Sequence, residues 1–341
     1  MYVDVIYESG LLTNNGKFVQ TLEERLEKYL GVKHVVLVSN GTLALQVAYK
    51  ALKLQGEVIT TPFSFVATTS SLIWEGLIPK YVDIDKDSLN IDYNKIEEAI
   101  NEKTSAILPV HVFGNGCNVE EINKIAKQYN LKVIYDAAHA FDVKYNGESI
   151  LNYGNISTLS FHSTKIFHTI EGGAIIVNDE ELYKDIKLAI NFGISGPEKI
   201  ECLGINCKMN EFQAAMGLCI LDELDEILHE RKRIYNYYRS NLTNKLEYQK
   251  LSENCSWNYS YYPVILESED ILLKVKESLN NIGIFPRRYF YPSLDTLPFM
   301  KIKDVMTISN DISKRILCLP FYDSLTREEL DLIIKTINEI V

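Results

Sequence analysis

Between Phe18 and about residue 180 the chain alternates strongly apolar runs of strand length with amphipathic stretches of helix length, and few folds satisfy that alternation. The runs are HVVLV (34–38), EVITT (57–61), KYVDI (80–84), SAILPV (105–110), KVIYD (132–136), STLSF (157–161) and AIIVN (174–178). Most are continuous and β-branched, the pattern of strands covered on both faces. Between them, Glu120 to Tyr129 places Ile122, Ile125, Ala126 and Tyr129 at helical spacing, as a crossover helix needs. The expected architecture is α/β, with a three-layer, mainly parallel sheet and helices on both faces.

A long helical stretch, roughly Asn210 to Asn241, closes this unit, and the pattern then changes. YYPVIL (261–266), an amphipathic run from Asp270 to Asn281 and a closing helix near Arg327 to Ile340 read as a smaller α+β domain. The expected division is a large domain over 1–241 and a small one over 242–341, a natural split for 341 residues.

Charge and composition narrow the function. A net charge of -11 without a Lys/Arg block argues against nucleic-acid partners. Local amides and a few placed cations can still bind a small anion. The opening MYVDVIYESG lacks the pattern of a signal peptide, and no apolar run reaches transmembrane length, so a cytoplasmic protein off the membrane is expected. The six cysteines form no C-x-x-C pair and no zinc-like spacing with histidine. They read as reduced thiols in core positions, with no metal site.

Four features sit at the C-terminal ends of expected strands, where open α/β sheets bind ligands. Ser39-Asn40-Gly41-Thr42 precedes a helix whose first amides and hydroxyl suit a phosphate, or serve as an ordinary N-cap. Asp136 in IYDAAHA can hold a proton on a pyridine nitrogen or cap a helix; His139 can meet a phenolic oxygen or lie buried and satisfied. Lys165, in Ser160-Phe161-His162-Ser163-Thr164-Lys165 before Glu171-Gly172-Gly173-Ala174, is placed for Schiff-base chemistry rather than for a solvated face. Phe65 in TTPFSFVAT (60–68) can stack on a ring or simply pack.

Together these segments resemble the fold-type I sugar-nucleotide aminotransferases of the DegT/DnrJ/StrS group. The resemblance runs through LTNNGKF (12–18), NGTLAL (40–45), TTPFSFVAT, VDID (82–85), PVHVFG (109–114), IYDAAHAF (134–141), SFHSTK (160–165), EGGA (171–174) and GINCKMNEFQAAMG (204–217). It implies pyridoxal phosphate as cofactor, with Lys165 as the covalent lysine, Asp136 on the pyridine nitrogen, Phe65 on the ring face and His139 near the ring oxygen. Thr42 and Ser160 would hold the phosphate, with Leu43 in the same cofactor-binding turn. Asn206 would reach the phosphate of a neighbouring protomer, which implies a homodimer with shared sites.

Arg287, Arg288 and Tyr289 of IFPRRYFYPSL (284–294), with Asn14 of LTNNGKF, form the implied substrate-binding set. Either arginine could grip a sugar diphosphate. Asp295 stands where many relatives carry a histidine. The wording of TTPFSFVAT, IYDAAHAF and RRYFYPSL is closest to members that aminate dTDP-linked 4-keto-6-deoxy sugars, with glutamate as donor and surface polysaccharide as destination. Amination at a 3-keto position is the alternative. A non-catalytic sensor is disfavoured by the intact lysine, aspartate and serine, a dehydratase by the lysine itself, and a dinucleotide dehydrogenase by the missing G-x-G-x-x-G.

Overall fold

The structure, a computed structural model, describes residues 2–300 and 306–341. Seven strands make the central sheet: β1 (His34–Val38), β2 (Glu57–Thr60), β3 (Ile78–Tyr81), β4 (Thr104–Leu108), β5 (Lys132–Asp136), β6 (Ile156–Ser160) and β7 (Gly173–Val177). Their spatial order is β1-β7-β6-β5-β4-β2-β3. Neighbours from β6 to β3 run parallel, while β7 is antiparallel to both β1 and β6. Each expected run contributes a strand to this sheet, but KYVDI is displaced. The strand ends at Tyr81, and Asp83 beyond it accepts from the amides of Ile308 (2.8 Å) and Ser309 (2.9 Å), capping helix Thr307–Arg315.

Strand alternation divides the apolar side chains between two helix layers. Val36, Val38, Val58, Leu108, Ile134 and Ile175 face helices Gly41–Ala51, Val66–Trp74 and Glu180–Ala189. Val35, Leu37, Ile59, Ile107, Val133 and Ile176 pack with helices Lys17–Leu30 and Val119–Gln128 and the first half of Glu211–Asn241. Leu22 and Leu26 are fully buried there, each worth roughly 1.5–3 kcal/mol of transfer free energy.

Helix Lys17–Leu30 has no side-chain cap of its own at Gly16. The carboxylate of Glu211 supplies one from 193 residues away, accepting from the amides of Phe18 (2.8 Å) and Val19 (3.1 Å). A Cβ at Gly16 would come within 2.5 Å of that carboxylate, so glycine is required for the approach. The same Glu211 opens the 31-residue helix Glu211–Asn241, which starts at a capping box of Asn210 and Gln213.

In the C-terminal part, β8 (Pro263–Ile265) pairs antiparallel with β9 (Ile316–Cys318) beside helices Glu269–Asn281, Thr307–Arg315 and Arg327–Ile340. Its core takes Ile234 and Tyr238 from the long helix, whose earlier residues Ala214, Leu218 and Leu224 belong to the large core. Phe63, Val110 and Phe113 meet Tyr261, Phe290 and Ile316 in a joint cluster along the seam. Of the six free cysteines, Cys117, Cys207 and Cys318 are buried, but Cys202 and Cys219 are exposed and fill no core. Among the described residues no helix is long and apolar enough to cross a membrane, and no group of three metal-ligating side chains gathers.

Candidate active site

A cavity of about 350 Å³ opens at the C-terminal ends of the parallel strands, within the range of small-molecule sites. Among the residues that line it are Thr42, Phe65, Asp136, His139, Ser160, Lys165, Arg287 and Tyr289. Eight of the twelve site residues expected from sequence therefore share one cavity.

Lys165 rides on the excursion between β6 and β7. That excursion is pinned by Phe161 N to Gly172 O (2.8 Å), Ser163 N to Ile170 O (2.8 Å) and Lys165 N to His162 O (2.8 Å). Buried Phe161 and Phe167 pack edge to face beneath it. The Lys165 ammonium donates to the Tyr261 hydroxyl at 3.1 Å. Burial pushes its pKa down to about 8, opposed by the negative charge of Asp136. The fall from 10.5 to about 8 raises the free-amine fraction at neutral pH by roughly 300-fold.

Asp136, 7% exposed at the end of β5, receives one donor on each oxygen: the Thr68 hydroxyl at 2.8 Å and the Ala138 amide at 3.2 Å. Burial raises its pKa, against those two donors and the Lys165 charge. A carboxylate oxygen can accept more than one hydrogen bond, so capacity remains toward the cavity. His139 Nδ1 accepts from the Phe113 amide at 3.2 Å. Burial, helped by the Lys165 charge, pushes the imidazole well below the ordinary histidine range. A neutral ring accepting at Nδ1 carries its proton on Nε2, which makes His139 a hydrogen-bond donor.

The third element is a helix N-terminus. Asn40 caps helix Gly41–Ala51 by accepting from the Leu43 amide at 2.9 Å, so that amide is spent and Leu43 does not line the cavity. The first-turn amides of Gly41 and Thr42 are left beside Ser160. This approach needs glycine twice: a Cβ on Gly41 would sit 2.9 Å from Ser160 Cβ, and one on Gly173 would sit 2.7 Å from the Asn40 carbonyl carbon. Gly41 and Gly173 thus let two strand ends and a helix end come together.

The other expected residues divide. Phe65, at the start of helix Val66–Trp74, is 53% exposed on the cavity wall. Arg287 is exposed, bonds the Tyr289 hydroxyl at 2.9 Å and faces the cavity. Arg288 does not. Its guanidinium is committed to Glu269 (2.7 Å) and the Lys314 carbonyl (3.1 Å) and lies over the Tyr291 ring, which removes it from the substrate set. Asn14 and Asn206 lie outside this cavity and line a second one, of about 570 Å³.

Sequence reasoning missed Thr68, Tyr261 and Phe290. Thr68 lay inside TTPFSFVAT but carried no local sign of its partner Asp136; Tyr261 read only as the start of a strand. Asp295 is buried and structural, bound to Ser293 (2.5 Å) and Asn310 (2.8 Å), so it acts here as a fastening.

An α/β sheet with a lysine of lowered pKa, a buried carboxylate and an anion-ready helix end in one cavity defines a Schiff-base class of enzyme. Residues 1–338 match the DegT/DnrJ/EryC1/StrS aminotransferase family, and the chain belongs to it. It is 44% identical to a dTDP-4-amino-4,6-dideoxy-D-glucose transaminase of Shigella dysenteriae over 99% of this chain and 94% of the relative. An Escherichia coli protein of the same name is 42% identical over 96% and 91%. Among solved structures, DesI in the presence of its TDP-sugar product superposes with a TM-score of 0.94 at 30% identity, covering 99% of this chain and 88% of that one.

Proposed function

We propose that the chain moves an amino group from glutamate to C4 of a dTDP-linked 4-keto-6-deoxy sugar, using pyridoxal phosphate, in the synthesis of a surface polysaccharide. One observation carries the reading: the Lys165 amine, the Asp136 carboxylate and the Gly41–Thr42 helix end with Ser160 line the same cavity. The names of the relatives at 44% and 42% identity support the sugar.

The residues fit the cofactor. Asp136 keeps acceptor capacity for a protonated ring nitrogen, His139 offers Nε2–H to a ring oxygen, and the helix end with the Ser160 hydroxyl suits the phosphate. Bound there, pyridoxal phosphate supplies an electron sink for the carbanion formed at the donor's α-carbon. Lys165 anchors the group covalently and, once its amine is free, takes the proton from that α-carbon. Phe65 offers a ring face, and the Arg287 guanidinium meets the sugar's diphosphate. Asn206, in the second cavity, serves the phosphate of a partner copy in a homodimer.

The test is turnover of dTDP-4-keto-6-deoxyglucose with glutamate, with the amine's position read by NMR and 2-oxoglutarate counted alongside. One 2-oxoglutarate per sugar aminated at C4 is expected. An amine at C3, or no transfer from glutamate, contradicts the reading.

A further inference from the structure

Tyr261 belongs to the C-terminal part of the chain, 96 residues from Lys165, yet its phenolic oxygen lies 3.1 Å from Lys165 Nζ. The ring is held by His139, Phe113 and Tyr289, with centroids 4.6, 5.5 and 5.8 Å away. The backbone before it is tied to the loop that carries Asp136 and His139. Asn258 Nδ2 donates to the carbonyls of His139 (2.9 Å) and Phe141 (2.7 Å), and Ser260 Oγ donates to His139 O (3.0 Å). From the long helix, buried Arg231 donates through Nη1 to the carbonyls of Tyr259 and Ser260, both at 3.2 Å. These bonds fix the phenol relative to Asp136 and the lysine together.

Burial pushes the Tyr261 hydroxyl far above the ordinary phenol range, so it stays neutral while Lys165 titrates. A neutral hydroxyl accepts from an ammonium and donates to a free amine, so one fixed group serves both states. We infer that Tyr261 is a positioning residue for the catalytic lysine: its hydroxyl holds Lys165 Nζ at the cavity wall, protonated or not, between covalent anchoring and proton transfer. Tyr261 itself gives up no proton in the net reaction. The role rests on the aminotransferase reading above and adds a residue that neither the cavity's charge pattern nor the sequence motifs indicate.

Tyr261→Phe removes the hydroxyl and keeps the ring contacts. Relative to wild type, kcat should fall about 10-fold, the scale of one lost hydrogen bond to a charged group, with KM for glutamate and sugar changed less than about twofold. The isotope effect with α-deuterated glutamate should rise, because proton transfer becomes slower. On cofactor-free protein, the pH midpoint for capture of pyridoxal phosphate should drop, because the ammonium has lost an acceptor. A purely structural tyrosine would move neither of these last two. Wild-type kcat, isotope effect and pH midpoint in a folded Tyr261→Phe protein overturn the inference. Absence of glutamate-dependent transfer in the wild type overturns the functional reading instead.

Discussion

In the cavity around Lys165 a single chain brings together the amine, its counter-charge and an anion-ready helix end. The cavity around Asn206 is lined by polar groups of another kind. There Lys187 is neutralised by Glu23 (3.2 Å) and Lys208 bonds Asn191 (2.7 Å), while Asn206 is exposed. Around it Phe192 and Ile194 are exposed, as is Leu203 (80%). Under the proposed function the first cavity holds the reacting groups, and the second supplies Asn206 to a partner's phosphate. In the proposed dimer a second copy covers the apolar rim, and Asn206 of each chain reaches the phosphate site of the other.

The largest effect expected is from Lys165→Ala, which should cut turnover by at least about 10³-fold while Asp136, Ser160 and Thr42 still retain the cofactor without covalent attachment. Loss of cofactor binding as well would blur the division of labour between the lysine and the rest of its cavity. Mixing inactive Lys165→Ala chains with Asn206→Ala chains sharpens the comparison between cavities. Each hybrid dimer contains one intact site if Asn206 acts across the interface, so about a quarter of wild-type activity should return. No recovery with proven subunit exchange places Asn206 outside any shared site.

A smaller contrast is expected within IFPRRYFYPSL. Arg287→Lys should raise KM for the nucleotide sugar about 10-fold, because a lysine cannot grip a diphosphate bidentately. Arg288→Lys should leave KM unchanged and cost about 1 kcal/mol of stability in denaturant melts, through its partly buried pair with Glu269. The mildest perturbation is pH. Capture of pyridoxal phosphate by cofactor-free protein should rise with pH below about 8 and level off above it, since only the free amine of Lys165 attacks. A midpoint near 10.5, the value of an unburied lysine, would show that burial does not tune the nucleophile.

Local patterning made the central sheet and its helices legible. Continuous β-branched runs and their crossover helices contain their own period, and six of the seven strands and the long helix fell where that period placed them. What stayed hidden depends on distant partners. The reason for Gly16 is Glu211, the reason KYVDI stops early is the helix that Asp83 caps, and helix Thr307–Arg315 with β9 carries no strong period. The site followed the same rule. Lys165, Asp136 and the Gly41 turn sit at strand ends and announce themselves. Thr68 and Tyr261 matter only through a contact with a residue 68 or 96 positions away, and the choice between Arg287 and Arg288 turns on which one Glu269 occupies.

The central claim is that Lys165 is the lysine to which the cofactor is bound. Holoprotein reduced with borohydride, digested and mapped by mass spectrometry should yield one phosphopyridoxyl peptide, modified at Lys165. A modification on any other lysine, or none in protein loaded with pyridoxal phosphate, would contradict the account.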